Sequence, residues 1–316
     1  MPVPEITANF AGKVNTVTIG SVSGGTRTSE ITVGGAANAV YGGCPDDGGH
    51  RPVIVMDVLD SPPQQWPDAL KKPFADVLND ADKWAEKCVE QFGADMICIK
   101  YGGSDPDKAG KDISESVDLT RRVLESVGVP LVLWGSGNNE IDNELMPKIS
   151  EACKGERCLI GTVTEDNYKA ITAIALADGH NLITEAPLDI NIGKQVNILV
   201  TDMGFPLERI VSYQTTGALG YGIEYSYSIQ ERQRLAALSG DKMMSTPVIC
   251  DIGYESWKVK EGRAPNIEGW GDIADRGPMW EAATAVTLLQ SGADMLRMRH
   301  PRAVKAVRDF IDQIWI

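Results

Sequence analysis

One pattern of apolar and polar positions recurs along the chain: an amphipathic run, a Gly, then a short apolar stretch. Asp76 to Gln91 leads into Phe92-Gly93-Ala94-Asp95-Met96-Ile97-Cys98-Ile99-Lys100-Tyr101. Trp280 to Gln290 leads in the same way into Gly292-Ala293-Asp294-Met295-Leu296-Arg297-Met298-Arg299-His300. Weaker copies run from Gly128 to Trp134 and from Gly179 to Thr184. In each, the Gly supplies the left-handed residue that ends a helix. The apolar run then suits a strand buried on both faces. Repeated helix–Gly–strand units mean parallel strands joined by crossover helices, hence an α/β barrel or an open α/β sheet.

Taken in order, the strands predicted after residue 51 are Pro52–Asp57, Met96–Lys100, Leu131–Trp134, Cys158–Thr162, Leu182–Glu185, Ile210–Gln214, Val248–Asp251 and Met295–Arg299. Helical runs lie between them at 66–91, 112–126, 142–153, 166–177, 191–203, 228–239 and 278–290, with a last helix from Pro301. Ser114, Asp142 and Thr164-Glu165-Asp166 are expected to open three of these as caps. The count matches an α/β fold of the (β/α)8 TIM-barrel type over residues 51–316. An open doubly wound sheet is the alternative, but the first strand–helix turn has no Gly-x-Gly-x-x-Gly, which removes the usual dinucleotide site.

Residues 1–50 read differently, as an N-terminal β-hairpin extension with a Gly-rich link. Lys13 to Ile19 alternates, Gly20 to Thr26 turns, Thr28 to Val33 alternates again, and Tyr41 to Gly49 is irregular. A two-stranded hairpin needs packing to be stable. It is therefore expected either to dock a partner or to plug the barrel floor.

With 316 residues the chain can bury one large core, and its 30 basic against 44 acidic residues give a net charge of −14. That charge argues against nucleic acid or an acidic membrane surface as partner. The first residues, Met1-Pro2-Val3-Pro4-Glu5, carry no basic stretch followed by an apolar core, so the expected location is cytoplasmic. The six cysteines, at 44, 88, 98, 153, 158 and 250, form no Cys-x-x-Cys pair, so a zinc or iron–sulfur site built from this chain alone is not expected. Cys88, Cys98 and Cys250 fall on apolar positions and read as small core residues.

A barrel places its chemistry where strands end and the following loops begin. The residues at those positions are Asp57 and Asp60; Lys100, Tyr101, Gly102, Gly103 and Ser104; Ser136, Asn138 and Asn139; Thr162 and Thr164; Glu185; Gln214, Thr215, Thr216 and Gly217; Asp251 and Tyr254; Arg299 and His300. Lys100 is expected to pair with a carboxylate such as Asp57, or, with a lowered pKa, to act as an amine nucleophile. The Gly-rich loops after Gln214 and around Ser136-Gly137-Asn138 let backbone approach a large planar ligand, although such loops are also ordinary turns. His180 lies at the opposite end of its strand and is expected to cap or to sit on the surface, and His300 to shape the turn before Pro301.

Four stretches resemble a known family. They are Gly25 to Gly35, Ile97-Cys98-Ile99-Lys100-Tyr101-Gly102-Gly103-Ser104-Asp105-Pro106, Leu133-Trp134-Gly135-Ser136-Gly137, and Ile183-Thr184-Glu185-Ala186-Pro187-Leu188-Asp189. They are similar to the small subunit of the corrinoid/iron–sulfur protein of the reductive acetyl-CoA pathway. The archaeal relative of that subunit is the delta subunit of acetyl-CoA decarbonylase/synthase. The resemblance implies a TIM barrel paired with a large subunit that carries a [4Fe–4S] cluster and a corrinoid-binding domain, with the corrinoid near the barrel mouth. It also implies that cobalt takes a methyl group from a methyltetrahydrofolate-dependent methyltransferase and passes it to acetyl-CoA synthase/CO dehydrogenase. For individual residues it implies a location only. Lys100, Ser136, Asn138, Thr162, Glu185, Gln214, Thr215, Gly217, Asp251, Tyr254, Arg299 and His300 are candidates to face the corrinoid. Fold alone leaves open a self-sufficient barrel enzyme, such as a pterin-dependent methyltransferase or a Lys-dependent aldolase.

Overall fold

The computed structural model describes residues 10–38, 49–103, 110–265 and 267–315. The start of the chain, most of the Gly-rich link with Cys44, and Ser104 lie outside them. Two strands, β1 (Thr16–Ile19) and β2 (Ile31–Gly34), form an antiparallel pair with Val17 opposite Val33. The other strands are β3 (Val53–Leu59), β4 (Met96–Lys100), β5 (Leu131–Trp134), β6 (Leu159–Val163), β7 (Asn181–Glu185), β8 (Ile210–Tyr213), β9 (Ile249–Asp251) and β10 (Met295–Met298). They make one parallel sheet in the order β8-β7-β6-β5-β4-β3-β10-β9. A parallel bridge between Ser212 and Val248 brings the two outer strands together, so the sheet is a nearly closed barrel. The eight expected strands are all present.

The helices are α1 (Asp68–Lys71), α2 (Ala81–Glu90), α3 (Ile113–Ser126), α4 (Asn139–Ala152), α5 (Tyr168–Asp178), α6 (Ile190–Asp202), α7 (Ile223–Leu238), α8 (Ile252–Lys258), α9 (Lys260–Arg263), α10 (Ile273–Gln290) and α11 (Pro301–Ile314). Among the described residues, no helix is long and apolar enough to cross a membrane. The expected run 66–91 is broken into α1, a 3-10 turn at Lys72–Phe74, and α2. Pro73 is the cause: it has no N–H to give the Ala69 carbonyl four residues back, and its ring crowds that carbonyl. The ring of His300 donates to the Ala69 carbonyl instead.

Helix starts also shift. Asp112, not Ser114, caps α3, accepting from Ser114 N at 2.7 Å. Asn138, not Asp142, caps α4, and Asn167 precedes α5. Asp142 is instead a buried residue inside α4 whose carboxylate accepts from Ser136 N (2.7 Å) and Gly137 N (3.1 Å). Several residue types can accept from a free N–H, and the loop's path selects which one does.

The hairpin closes the barrel floor. Val17, Ile19 and Val33 are all but inaccessible and pack in one cluster with Val53, Met96, Leu159, Ile183, Ile249 and Met295 from inside the barrel. Its backbone is tied to the starts of the strands. Asn181 Nδ2 donates to Thr18 O (2.9 Å), Gly20 N to Arg157 O (2.9 Å), and Asn15 N to Ser245 O (2.6 Å). Arg27 is buried, pairs with Glu156 at 3.0 Å and donates to carbonyls of Leu124, Val127 and Val129 at the end of α3. Of the two expected roles, the structure shows the plug.

Side-chain alternation divides each strand between the barrel interior and the helix layer. Ile54, Met56, Ile97, Ile99, Leu131 and Leu133 join the large outer cluster under the helices, while Val53, Val55, Cys98 and Val132 face inward. Cys88, Cys153, Cys158 and Cys250 are buried in the outer layer and Cys98 in the barrel interior, so Cys88, Cys98 and Cys250 are core residues as expected. His180 departs from expectation. It is fully buried, its Nδ1 accepting from Cys158 N at 3.2 Å and its Nε2 lying 3.0 Å from Ser150 O. Its place beside the left-handed Gly179, in the short turn between α5 and β7, carries the ring inward.

Candidate functional site

The last inward residue of most strands is polar or aromatic. Asp57 lies on the inward row of β3, one step before Leu59, and Lys100 ends that of β4, Trp134 that of β5, Glu185 that of β7, Tyr213 that of β8, Asp251 that of β9 and Arg297 that of β10. A barrel interior is normally filled by branched apolar side chains, and burying charge costs several kcal/mol per ion unless it is paired. The pairing here is dense. Arg297 donates through Nε to Asp57 (2.5 Å) and through Nη1 to Asp251 (2.8 Å). Arg299 donates through Nε to the other Asp57 oxygen at 2.7 Å. Burial pushes the Asp57 carboxyl up, but the two guanidiniums more than offset this and hold it below its ordinary range. Burial dominates at Asp251 and raises it despite Arg297.

Strand register explains the partners. Asp57 lies opposite Cys98, so Lys100 sits one inward step higher on the neighbouring strand. On the other side Arg297 lies opposite Val55, so Arg299 comes level with Asp57. The expected Lys100–Asp57 pair therefore does not form. Lys100 Nζ donates to Gly135 O instead. Burial lowers its pKa to about 8. Glu185, across the layer, is raised by burial, and Thr162 donates to it.

The aromatic groups are placed around the arginines. Arg297 stacks over Trp134 at 4.4 Å, and Trp134 meets Tyr213 edge-on at 5.0 Å. Arg299 lies between Trp66 (5.1 Å) and Tyr254 (5.4 Å), and Tyr254 is 44% exposed at the rim. Behind Arg299, Glu281 of α10 is fully buried. It accepts from Arg299 N (2.5 Å), His300 N (3.1 Å) and Trp257 Nε1 (2.6 Å). Burial raises Glu281 to about 7 against these three donors.

Not every expected residue reaches the mouth. Lys100, Glu185, Asp251, Arg299 and Tyr254 gather there, with Thr162 beside Glu185. Gln214 does not: it is buried between α6 and α7, donating to Gln233 Oε1 at 2.9 Å, with Gly193 close against it. One residue past Tyr213, it has the outward parity. Thr215 turns back with a φ of 50° and donates to Ala186 O at 2.9 Å. Gly217 is a close-approach position, since a Cβ there would stand 2.4 Å from Gly222 O. Ser136 and Asn138 order the loop after β5. Ser136 Oγ accepts from Asn138 N (3.0 Å), and Asn138 Oδ1 accepts from Glu140 N (3.0 Å). His300 caps α11, its Nδ1 accepting from Arg302 N at 3.1 Å, and burial lowers it to about 4. Asp60 holds the next loop, accepting from Gly103 N at 2.9 Å. Sequence reasoning missed Arg297, Trp134, Tyr213, Trp66 and Glu281. The first three had a signal in the alternation of their strands, whereas Trp66 and Glu281 lie on separate elements and had none.

The fold and this layer define an α/β barrel whose C-terminal mouth is a charge-balanced, aromatic-walled polar site. Residues 16–303 match the model of the CO dehydrogenase/acetyl-CoA synthase delta subunit family. The chain belongs to that family. It is 34% identical over 304 residues to the acetyl-CoA decarbonylase/synthase complex subunit delta of Methanopyrus kandleri, covering 95% of this chain and 75% of that one. The subunit of the same name from Methanothermobacter thermautotrophicus is 36% identical over 302 residues, covering 95% and 76%. Among solved structures, dihydropteroate synthase of Thermus thermophilus superposes with a TM-score of 0.57 at 16% identity, covering 94% of this chain and 98% of that one. That likeness shows the barrel fold.

Proposed function

We propose that this chain is the barrel subunit of a two-subunit corrinoid/iron–sulfur protein, and that its mouth helps enclose a corrinoid carried by the larger partner. The reading rests on family membership and on one feature of the mouth: guanidiniums, carboxylates and flat aromatic faces arranged together with balanced charge. A corrin is a large, nearly flat macrocycle fringed with carboxamide arms, and it needs flat apolar surface with a few well-placed donors. Tyr254, exposed at the rim, offers a face, while Arg299 and Lys100 offer donors. The donor set therefore fits the group.

When bound, the corrinoid supplies cobalt, which carries a methyl group from a methyltetrahydrofolate-dependent methyltransferase to acetyl-CoA synthase/CO dehydrogenase in the reductive acetyl-CoA pathway. The [4Fe–4S] cluster belongs to the large subunit. The work of this chain is placement, burial and exclusion of water. Asp57 and Asp251 hold the arginines, and Glu281 anchors the strand end from behind. The test is an ultraviolet–visible spectrum of the anaerobically purified chain, alone and with its co-purifying partner. A corrinoid band that persists only in the complex is the expected result. A complex that shows iron–sulfur absorption but no corrinoid band, from cells grown with corrinoid supplied, would overturn the reading.

A further inference from the structure

Arg299 is held at several points. Its Nε is on Asp57 (2.7 Å), its backbone N on Glu281 (2.5 Å), and its guanidinium plane lies between Trp66 and Tyr254. Its side chain is only 7% exposed. Yet among the described residues neither terminal nitrogen, Nη1 nor Nη2, donates a hydrogen bond, whereas Arg297 beside it is bonded to both Asp57 and Asp251. Neither nitrogen is among the fully buried polar atoms that lack a partner, so this edge of the guanidinium keeps access to the mouth. Such a fork, flanked by two aromatic rings, is shaped for a planar oxygen acceptor.

Charge decides which acceptor. Asp57 and Asp251 balance Arg297 and Arg299, and Glu185 balances Lys100, so the layer is neutral as it stands. A carboxylate or phosphate would add an uncompensated charge beside two buried aspartates and close to Glu255 and Glu281. A neutral carbonyl adds none. We infer that Arg299 is a ligand-recognition residue whose terminal nitrogens take the carbonyl oxygen of a carboxamide arm of the bound ring. This rests on the corrinoid reading above and adds to it the group recognised and the residue that recognises it.

The test uses the complex of this chain with its corrinoid-bearing partner, loaded with cobinamide, whose arms are carboxamides. Dissociation is followed by absorbance after dilution. Replacing Arg299 by Met, or by Lys, which keeps a cation for Asp57 but lacks the fork, is expected to speed release about tenfold, equivalent to about 1.4 kcal/mol. Melting midpoint and circular dichroism establish that each variant folds, and the Lys variant carries the test where the Met variant does not. Release within twofold of the native complex would overturn the inference while leaving the corrinoid reading intact. Tighter retention of a cobinamide derivative with hydrolysed, carboxylate arms would also overturn it, in favour of an anionic acceptor. Should the native barrel fail to slow release relative to the partner alone, the corrinoid reading itself fails, and that outcome is separate from any comparison of variants.

Discussion

Glu281 links the stability of this barrel to pH at the point where Arg299 and His300 leave their strand. Its carboxylate is fully buried and titrates at about 7 against an ordinary 4.5. A carboxyl raised in the folded state makes folding less favourable once the unfolded chain has lost its proton. Below pH 4.5 both states are protonated and there is no penalty. Between 4.5 and 7 the folded state keeps a proton that the unfolded state releases, so stability falls as pH rises; above 7 the fall levels off. A shift of this size corresponds to about 3 kcal/mol, at 1.36 kcal/mol per unit. Glu281→Gln removes the titration. The amide among three N–H donors resembles the protonated native carboxyl, so the variant holds at every pH the contacts that the native chain has at pH 5. The variant is therefore expected to be close to the native chain in stability at pH 5 and to gain on it by about 3 kcal/mol at pH 8. Urea unfolding at half-unit intervals, with equal slopes in the two proteins, measures it. Other raised carboxyls, including Asp251, Glu185 and Glu255, titrate in both proteins and cancel in the difference. Parallel stability curves from pH 5 to 8 would refute the reasoning.

Two further outcomes are expected. Ile19→Ala, which empties the centre of the floor plug, should lower unfolding free energy by about 2–5 kcal/mol and leave secondary structure intact, measured by urea unfolding and circular dichroism; a loss under 0.5 kcal/mol would show that the hairpin does not support the barrel. Lys100, with its pKa lowered to about 8, should still give no borohydride-trapped adduct with small carbonyl substrates by mass spectrometry, because its ammonium is engaged with Gly135 O; a stoichiometric adduct at Lys100 would return the aldolase reading.

Much of the barrel was legible in the chain, because helix–Gly–strand units use short-range rules. Gly93, Gly179 and Gly292 adopt positive φ after α2, α5 and α10 whereas Gly128 does not, and the apolar runs that follow are buried strands. Strand alternation also placed Asp57, Lys100, Glu185, Asp251 and Arg299 at the mouth, since parity and strand end are local properties. Partnership was not local. Whether Asp57 meets Lys100 or Arg299 depends on the stagger between β3 and its two neighbours, a shift of two residues that no single stretch encodes. The sandwich of Arg299 joins Trp66 from the segment before α1 to Tyr254 from α8, and Glu281 reaches it from α10, so only closure of the barrel brings them together. Gln214 shows the converse: a plausible polar residue one position past its strand was carried by parity into the helix layer. The hairpin's alternation predicted a strand pair that needs cover, and the barrel's open floor decided what covers it, because Val17, Ile19 and Val33 fill apolar space that the inward rows of the strands leave unfilled.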